Sequence, residues 1–203
     1  MHGRLQRLAL VAAGALPLMA VPQDFACDNA DACTQALMMG VEGSLERMIA
    51  LAEGGDAAAQ AKLGLYYLGE WNTPSQPGGD SWLQGTKWLR MAATQGSPEA
   101  LYHLAGTLME TDRIRFYRFA AEQGHALAQL KLAFFYLGEG DLVQYRKWFQ
   151  LGIEGQTEPF RISGPIEAKD LKLTSAQIAE GDRLAREWKP KTWAELLVVG
   201  IKP

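Results

Sequence analysis

One stretch of this sequence occurs twice in recognisable form. Ala59-Gln60-Ala61-Lys62-Leu63-Gly64-Leu65-Tyr66-Tyr67-Leu68-Gly69-Glu70 lines up with Ala128-Gln129-Leu130-Lys131-Leu132-Ala133-Phe134-Phe135-Tyr136-Leu137-Gly138-Glu139. A weaker copy, Ala100-Leu101-Tyr102-His103-Leu104-Ala105-Gly106-Thr107-Leu108, lies between them. A second segment repeats too. Lys87-Trp88-Leu89-Arg90-Met91-Ala92-Ala93-Thr94-Gln95-Gly96 matches Arg115-Phe116-Tyr117-Arg118-Phe119-Ala120-Ala121-Glu122-Gln123-Gly124, and looser copies end at Gly55 and Gly155. The marker glycines Gly55, Gly96, Gly124 and Gly155 fall at intervals of roughly 30 to 40 residues, the range of arrays in which one supersecondary unit stacks on the next.

The residues of the unit predict its structure. Ala59, Leu63 and Tyr67 recur at helical spacing and mark one face. Gly64 lies beside that stripe, where the absence of a side chain lets a second helix approach. Alanine and unbranched side chains around it favour the helix. Gly69 and Gly138 are placed to end the first helix of a pair, Gly96 and Gly124 the second. Each unit is therefore a helix, a turn and an antiparallel helix, and one such hairpin buries its apolar face only when neighbours stack on it. Alternating β-branched runs that would signal strands are lacking.

These residues resemble the Sel1-like repeat family, a relative of the tetratricopeptide repeat. Its pattern is roughly Ala-Gln-x-x-Leu-Gly-x-x-Tyr-x-x-Gly followed by Lys-Ala-x-x-Trp-x-x-x-Ala-Ala-x-x-Gly. The resemblance covers residues 44–155 and implies an all-α chain, a right-handed α-α solenoid of Sel1-like helix-turn-helix repeats. Two units depart from the family length: the first carries an insertion from Trp71 to Ser81, and the middle one lacks its Gly-x-Gly turn around Glu110 to Asp112. The C-terminal stretch from Leu173 to Trp188 is similar to the final helix of many such chains, with Thr174 as its N-cap.

The flanks read differently. Residues 1–20 open with Arg4 and Arg7, continue with an apolar run from Leu8 to Ala20, and precede the polar Pro22-Gln23-Asp24. This is the pattern of a secretory signal peptide cut after Ala20, which places the protein in the periplasm or outside the cell. The alternative is an uncleaved anchor, although the run is short of the roughly 20 apolar residues a span requires. Residues 21–43 form an N-terminal cap carrying Cys27 and Cys33. In an oxidising compartment the pair reads as a disulfide; free thiols or a metal site are the alternatives, and no His lies nearby to support a metal. Residues 156–173 read as a loop, 174–188 as a C-terminal capping helix, and 189–203 as a tail with a helical turn over Trp193 to Val198. The apolar Leu196 to Val199 is expected to fold the tail back onto the solenoid, with a free partner-binding tail as the alternative.

No catalytic residue, metal ligand or cofactor site emerges. His103 and His125 lack metal-ligand spacing and read as polar surface residues. No nucleophile has a visible base, and no Gly-x-Ser-x-Gly elbow occurs. Gly138-Glu139-Gly140-Asp141 lacks the strand, glycine and lysine of a phosphate loop and reads as a turn between helices. The charged share of 21% and net charge of -3, without a cluster of Lys and Arg, exclude a nucleic-acid surface. The aromatic residues Trp88, Phe116, Tyr117 and Trp148 at helical spacing read as core.

What remains is binding. The resemblance implies a groove lined by the first helices of the pairs, a protein or peptide partner, and no stable membrane span after cleavage. If Leu63, Gly64 and Tyr67 fill the packing positions, then Ala61, Leu65 and Leu68 point into the groove, with Tyr102, Gly106 and Met109 and then Leu130, Phe134 and Leu137 at matching positions. Trp71 and Trp82 bracket a Pro- and Gly-rich insertion and form a second candidate contact. The expected function is a protein-interaction scaffold of the cell envelope or periplasm. The resemblance also admits an immunity-type inhibitor of an effector toxin, and less readily a β-lactam-binding or hydrolysing enzyme.

Overall fold

The structure is a computed structural model and describes residues 27–69, 77–108, 110–155, 171 and 173–198. The signal-peptide reading of residues 1–20, the long loop, Met109 and Trp71 lie outside the described residues. Among the described residues there are ten helices and no strand: α1 Ala30–Met38, α2 Ser44–Glu53, α3 Ala57–Leu68, α4 Asp80–Thr94, α5 Pro98–Ala105, α6 Glu110–Glu122, α7 Ala126–Gly138, α8 Leu142–Glu154, α9 Ser175–Glu187 and α10 Trp193–Val198. Each helix from α1 to α9 packs on a sequence neighbour, and α3 also touches α1 and α5. The odd-numbered first helices thus form one layer of a solenoid and the even-numbered second helices the other.

Each unit starts the same way. Gly55, Gly96 and Gly124 adopt φ of 94°, 84° and 95°, a conformation open to glycine, and turn the chain out of the preceding helix. The next residue caps the following helix. Asp56, Ser97 and His125 accept the backbone N–H of Ala59, Ala100 and Ala128 at 2.8, 3.3 and 3.2 Å. The glutamine of the Ala-Gln pair is then buried. Gln60 Nε2 donates to the Ala52 carbonyl at 2.9 Å, and Gln129 Nε2 to the Ala121 carbonyl at 3.2 Å. Both carbonyls lie in the last turn of the preceding helix, so the side chain sews consecutive hairpins together. The middle unit has Leu101 at this position, fully buried.

Close helix approach depends on missing side chains. A Cβ on Gly64 would stand 2.7 Å from Leu89, one on Gly85 2.8 Å from the Gly64 carbonyl, and one on Gly152 2.7 Å from Leu130. Gly181 does the same for α9, where an added Cβ would meet Arg146 at 2.6 Å. The stops vary more than the starts. Gly69 caps α3 in the left-handed conformation, whereas α7 runs on through Gly138 and Gly140 takes the positive φ of 78°. The middle unit shortens at its first helix. α5 has 8 residues, Gly106 to Leu108 make the turn, and Glu110 to Asp112 sit inside α6.

Two apolar clusters fill the interior. The smaller joins Ala30, Cys33, Met48, Ala52, Ala59 and Leu63, and Cys33 is disulfide-bonded to Cys27 within it. The larger runs from Ala61 and Leu65 through α4 to α8 and includes Phe116, Tyr117, Phe119, Trp148 and Phe149. Helix α3 therefore serves both: Ala59 and Leu63 face α1 and α2, while Ala61 and Leu65 face onward. Burying one such leucine contributes about 1.5–3 kcal/mol.

The segment after α9 lies across the C-terminal ends of the second helices. The Trp188 ring meets Trp148 edge-on at 6.2 Å, and its Nε1 donates to Glu122 at 3.3 Å. The backbone N–H of Lys191 donates to the Glu122 carbonyl at 2.8 Å, while its ammonium pairs with the same carboxylate at 3.2 Å. Trp193 packs on Phe119 and fills the space over Gly96, and Leu196 is buried. Lys147 lies 4.1 Å above the Trp148 ring beside this contact, where desolvation lowers its pKa.

Candidate interaction groove

A groove of 510 Å³ opens over the first helices, lined by Leu68 at the end of α3, Pro77 and Trp82 at the start of α4, Tyr102 and His103 of α5, Gly106 and Thr107 after it, Tyr117 of α6, and Leu127 and Lys131 of α7. Leu127, Lys131 and Phe134 share one face of α7, and Leu127 and Phe134 are 39% and 42% exposed. A second groove of 420 Å³ adjoins it, lined by Thr34 and the exposed Met38 of α1, Ala58, Ala61, Lys62 and Leu65 of α3, and Ser97 and Glu99 at the start of α5. The two meet where Glu99 gives way to His103 one turn further along α5.

The residues expected to line the groove separate into groups. Leu68, Tyr102 and Gly106 converge on the larger groove, and Ala61 and Leu65 on the smaller. Although they border it, Ala61 and Leu65 are 2% and 7% exposed, since α3 is covered on two sides. Leu130 is packed away against Gly152. Phe134 stands open, and Leu137 is half-buried against the core. Trp82, at the edge of the insertion, is on the first turn of α4 and lines the larger groove together with Tyr102. Tyr117, Leu127, Lys131 and Glu99 are additional members that repeat alignment alone does not mark.

The histidines are not isolated surface groups. His103 Nε2 and His125 Nε2 each lie 3.1 Å from a different oxygen of Glu99. The His125 ring stacks on Tyr102 with centroids 4.6 Å apart, and Tyr102 leans on Tyr117 at 5.6 Å. Because His125 Nδ1 accepts the Ala128 N–H, the ring proton sits on Nε2 and is donated to Glu99. The hydrogen bond to His103, then that to His125, hold the Glu99 carboxyl far below the usual carboxylate range, against the desolvation that opposes them. Burial pushes the Tyr117 hydroxyl up, with Arg113 opposing. The groove thus has an aromatic floor, a carboxylate kept ionised at one shoulder, and a lysine at the other.

Among the described residues, no group of three or more His, Cys, Asp or Glu is placed to hold a metal ion. No described helix is long and apolar enough to cross a membrane. Asp141, in the Gly138–Asp141 turn, caps α8 by accepting the Gln144 N–H at 3.0 Å.

The stacked hairpins define the chain as an α-solenoid with the Sel1-like repeat fold, the architecture of a protein-interaction scaffold. It is similar to a solved structure, a protective antigen present in uropathogenic Escherichia coli strains displaying an SLR (Sel1-like repeat) fold, with a TM-score of 0.57 and 25% sequence identity. The match covers 84% of this chain and 41% of that one, so this chain spans about two fifths of its neighbour's length. No family model matches the sequence, and no curated protein does.

Proposed function

We propose that this protein is a binding module of the periplasm or cell exterior that captures another protein through the groove over its first helices, without chemistry of its own. The observation that carries this reading is the groove itself. It is large enough for several side chains, floored by Trp82, Tyr102 and Tyr117, and continued by the exposed Leu127 and Phe134. Exposed apolar and aromatic surface of this kind marks interaction sites on otherwise polar proteins. The disulfide supports an oxidising compartment, in keeping with the leader-like pattern of residues 1–20.

The test is affinity capture from a periplasmic extract with the wild-type chain and with Leu127→Ala/Phe134→Ala, whose side chains are exposed enough to be removed without emptying the core. A partner retained by the wild type and lost by the variant at unchanged melting temperature supports the groove. Equal retention by both moves the site elsewhere, to the insertion or the tail.

A further inference from the structure

We infer that the occupant of the groove is an extended peptide segment of the partner with a defined charge order: an apolar side chain, then Arg or Lys, then a second apolar or aromatic side chain, then a carboxylate. The inference rests on the groove reading above and adds the chemistry of the ligand. Its first support is the sequence of surfaces along the inner layer. The exposed Met38 stands at the smaller groove, whose wall is the largely covered Ala61 and Leu65; Glu99 follows, then Leu68, Tyr102 and Leu127, then Lys131. Apolar and charged positions alternate along one continuous path that crosses from the smaller groove into the larger.

The second support is the state of the two charges. Glu99 lines the smaller groove with its side chain 48% exposed. Each of its oxygens accepts one imidazole N–H and keeps a lone pair for another donor. The cap of α7 fixes the His125 ring, with Nδ1 accepting the Ala128 N–H and Nε2 turned to Glu99. Glu99 is therefore a pre-oriented anion whose rotamer is fixed before any ligand arrives. Lys62, the other charge lining that groove, is already paired with Asp31 at 3.0 Å. Lys131 is exposed and has no ion pair among the described residues. A ligand placing a cation on Glu99 and an anion on Lys131 meets both, and one running the other way meets two like charges. Complementarity of this sort sets register and direction more than raw affinity.

A phage-displayed library of random twelve-residue peptides, selected on the full chain, reads this directly. Selected sequences are expected to carry Arg or Lys between apolar residues, with Asp or Glu to one side. Selection on Glu99→Gln is expected to lose the basic preference, and selection on Lys131→Glu to replace the acidic residue by a basic one. Lys131 is exposed and outside the histidine cluster, so that variant keeps the test valid if Glu99→Gln is poorly folded. A selected peptide with its Arg replaced by Glu should bind the wild type about fivefold more weakly. Binders without a charge preference, or the same preference on Lys131→Glu, overturn the inference and leave the groove reading standing. An absence of peptide binders also overturns it, since a groove can still take a folded surface. Binders that hold equally well to Leu127→Ala/Phe134→Ala overturn the groove reading itself.

Discussion

At the scale of single residues, glycine does two jobs here, and a pair of substitutions separates them. Gly55 and Gly96 have similar backbone, φ of 94° and 84°, but a Cβ on Gly55 would meet open space while one on Gly96 would stand 2.3 Å from Trp193. Gly55→Ala should cost about 1 kcal/mol for the left-handed backbone alone. Gly96→Ala carries that cost and must also displace an indole, so its urea midpoint should fall clearly below that of Gly55→Ala. Equal losses would mean that Trp193 moves aside freely. Glu99 offers a second test. Its carboxyl is depressed in the folded state relative to an unfolded value of about 4.3. Its contribution is therefore complete above that value and is lost progressively as the pH falls toward the folded value. Partial exposure screens the interaction, so Glu99→Gln should lower the melting temperature at pH 7 by roughly 2 °C. That gap should narrow below about pH 4; a gap that widens in acid would defeat the assignment.

At the scale of elements, the repeat was legible because its periodic residues are the ones that pack: Ala59, Leu63 and Gly64, with the partner glycines of α4 and α8, define helix contacts almost by themselves. The groove was legible only in part. Repeat alignment treats the inner helices as equivalent and one-sided, but α3 is buried on two faces, so Ala61 and Leu65 are largely covered where Phe134 on α7 stands open. Glu99 carries a weak local signal, its i, i+4 spacing to His103, but its bond to His125 depends on how α5 and α7 stack, which no local pattern encodes. The glutamine staple belongs to this scale too. Gln60 also accepts from the Gln95 amide at 2.8 Å, whereas the side-chain bond described for Gln129 is the one to Ala121. Gln60→Leu should therefore cost more than Gln129→Leu, with losses of about 1–3 kcal/mol at the former. The middle unit, which carries Leu101 natively, shows that leucine fits the site sterically. Urea denaturation of both variants checks the order, and a larger loss at Gln129 would contradict it.

At the scale of the whole molecule, a solenoid is held by contacts between neighbouring units, and its ends tend to unfold separately. The segment after α9 changes that connectivity. Trp188 grips α8, Glu122 of α6 receives both Trp188 and Lys191, and Trp193 reaches the turn between α4 and α5. One short stretch thus couples units that do not otherwise adjoin. Trp193→Ala removes the furthest of these contacts while leaving Trp188 and the Glu122 pairings in place. Since Trp193 is half-buried, the loss should fall below that of a fully buried tryptophan, at about 2–3 kcal/mol. That corresponds to a drop of roughly 5–10 °C in melting temperature. The more discriminating readout is cooperativity. If the segment makes the array unfold as one body, the variant should show a smaller m-value in urea and a broadened transition, because α1 to α4 come free of α6 to α9. A lowered midpoint with an unchanged m-value would mean that the segment adds stability without coupling, and that stacking alone makes the solenoid cooperative.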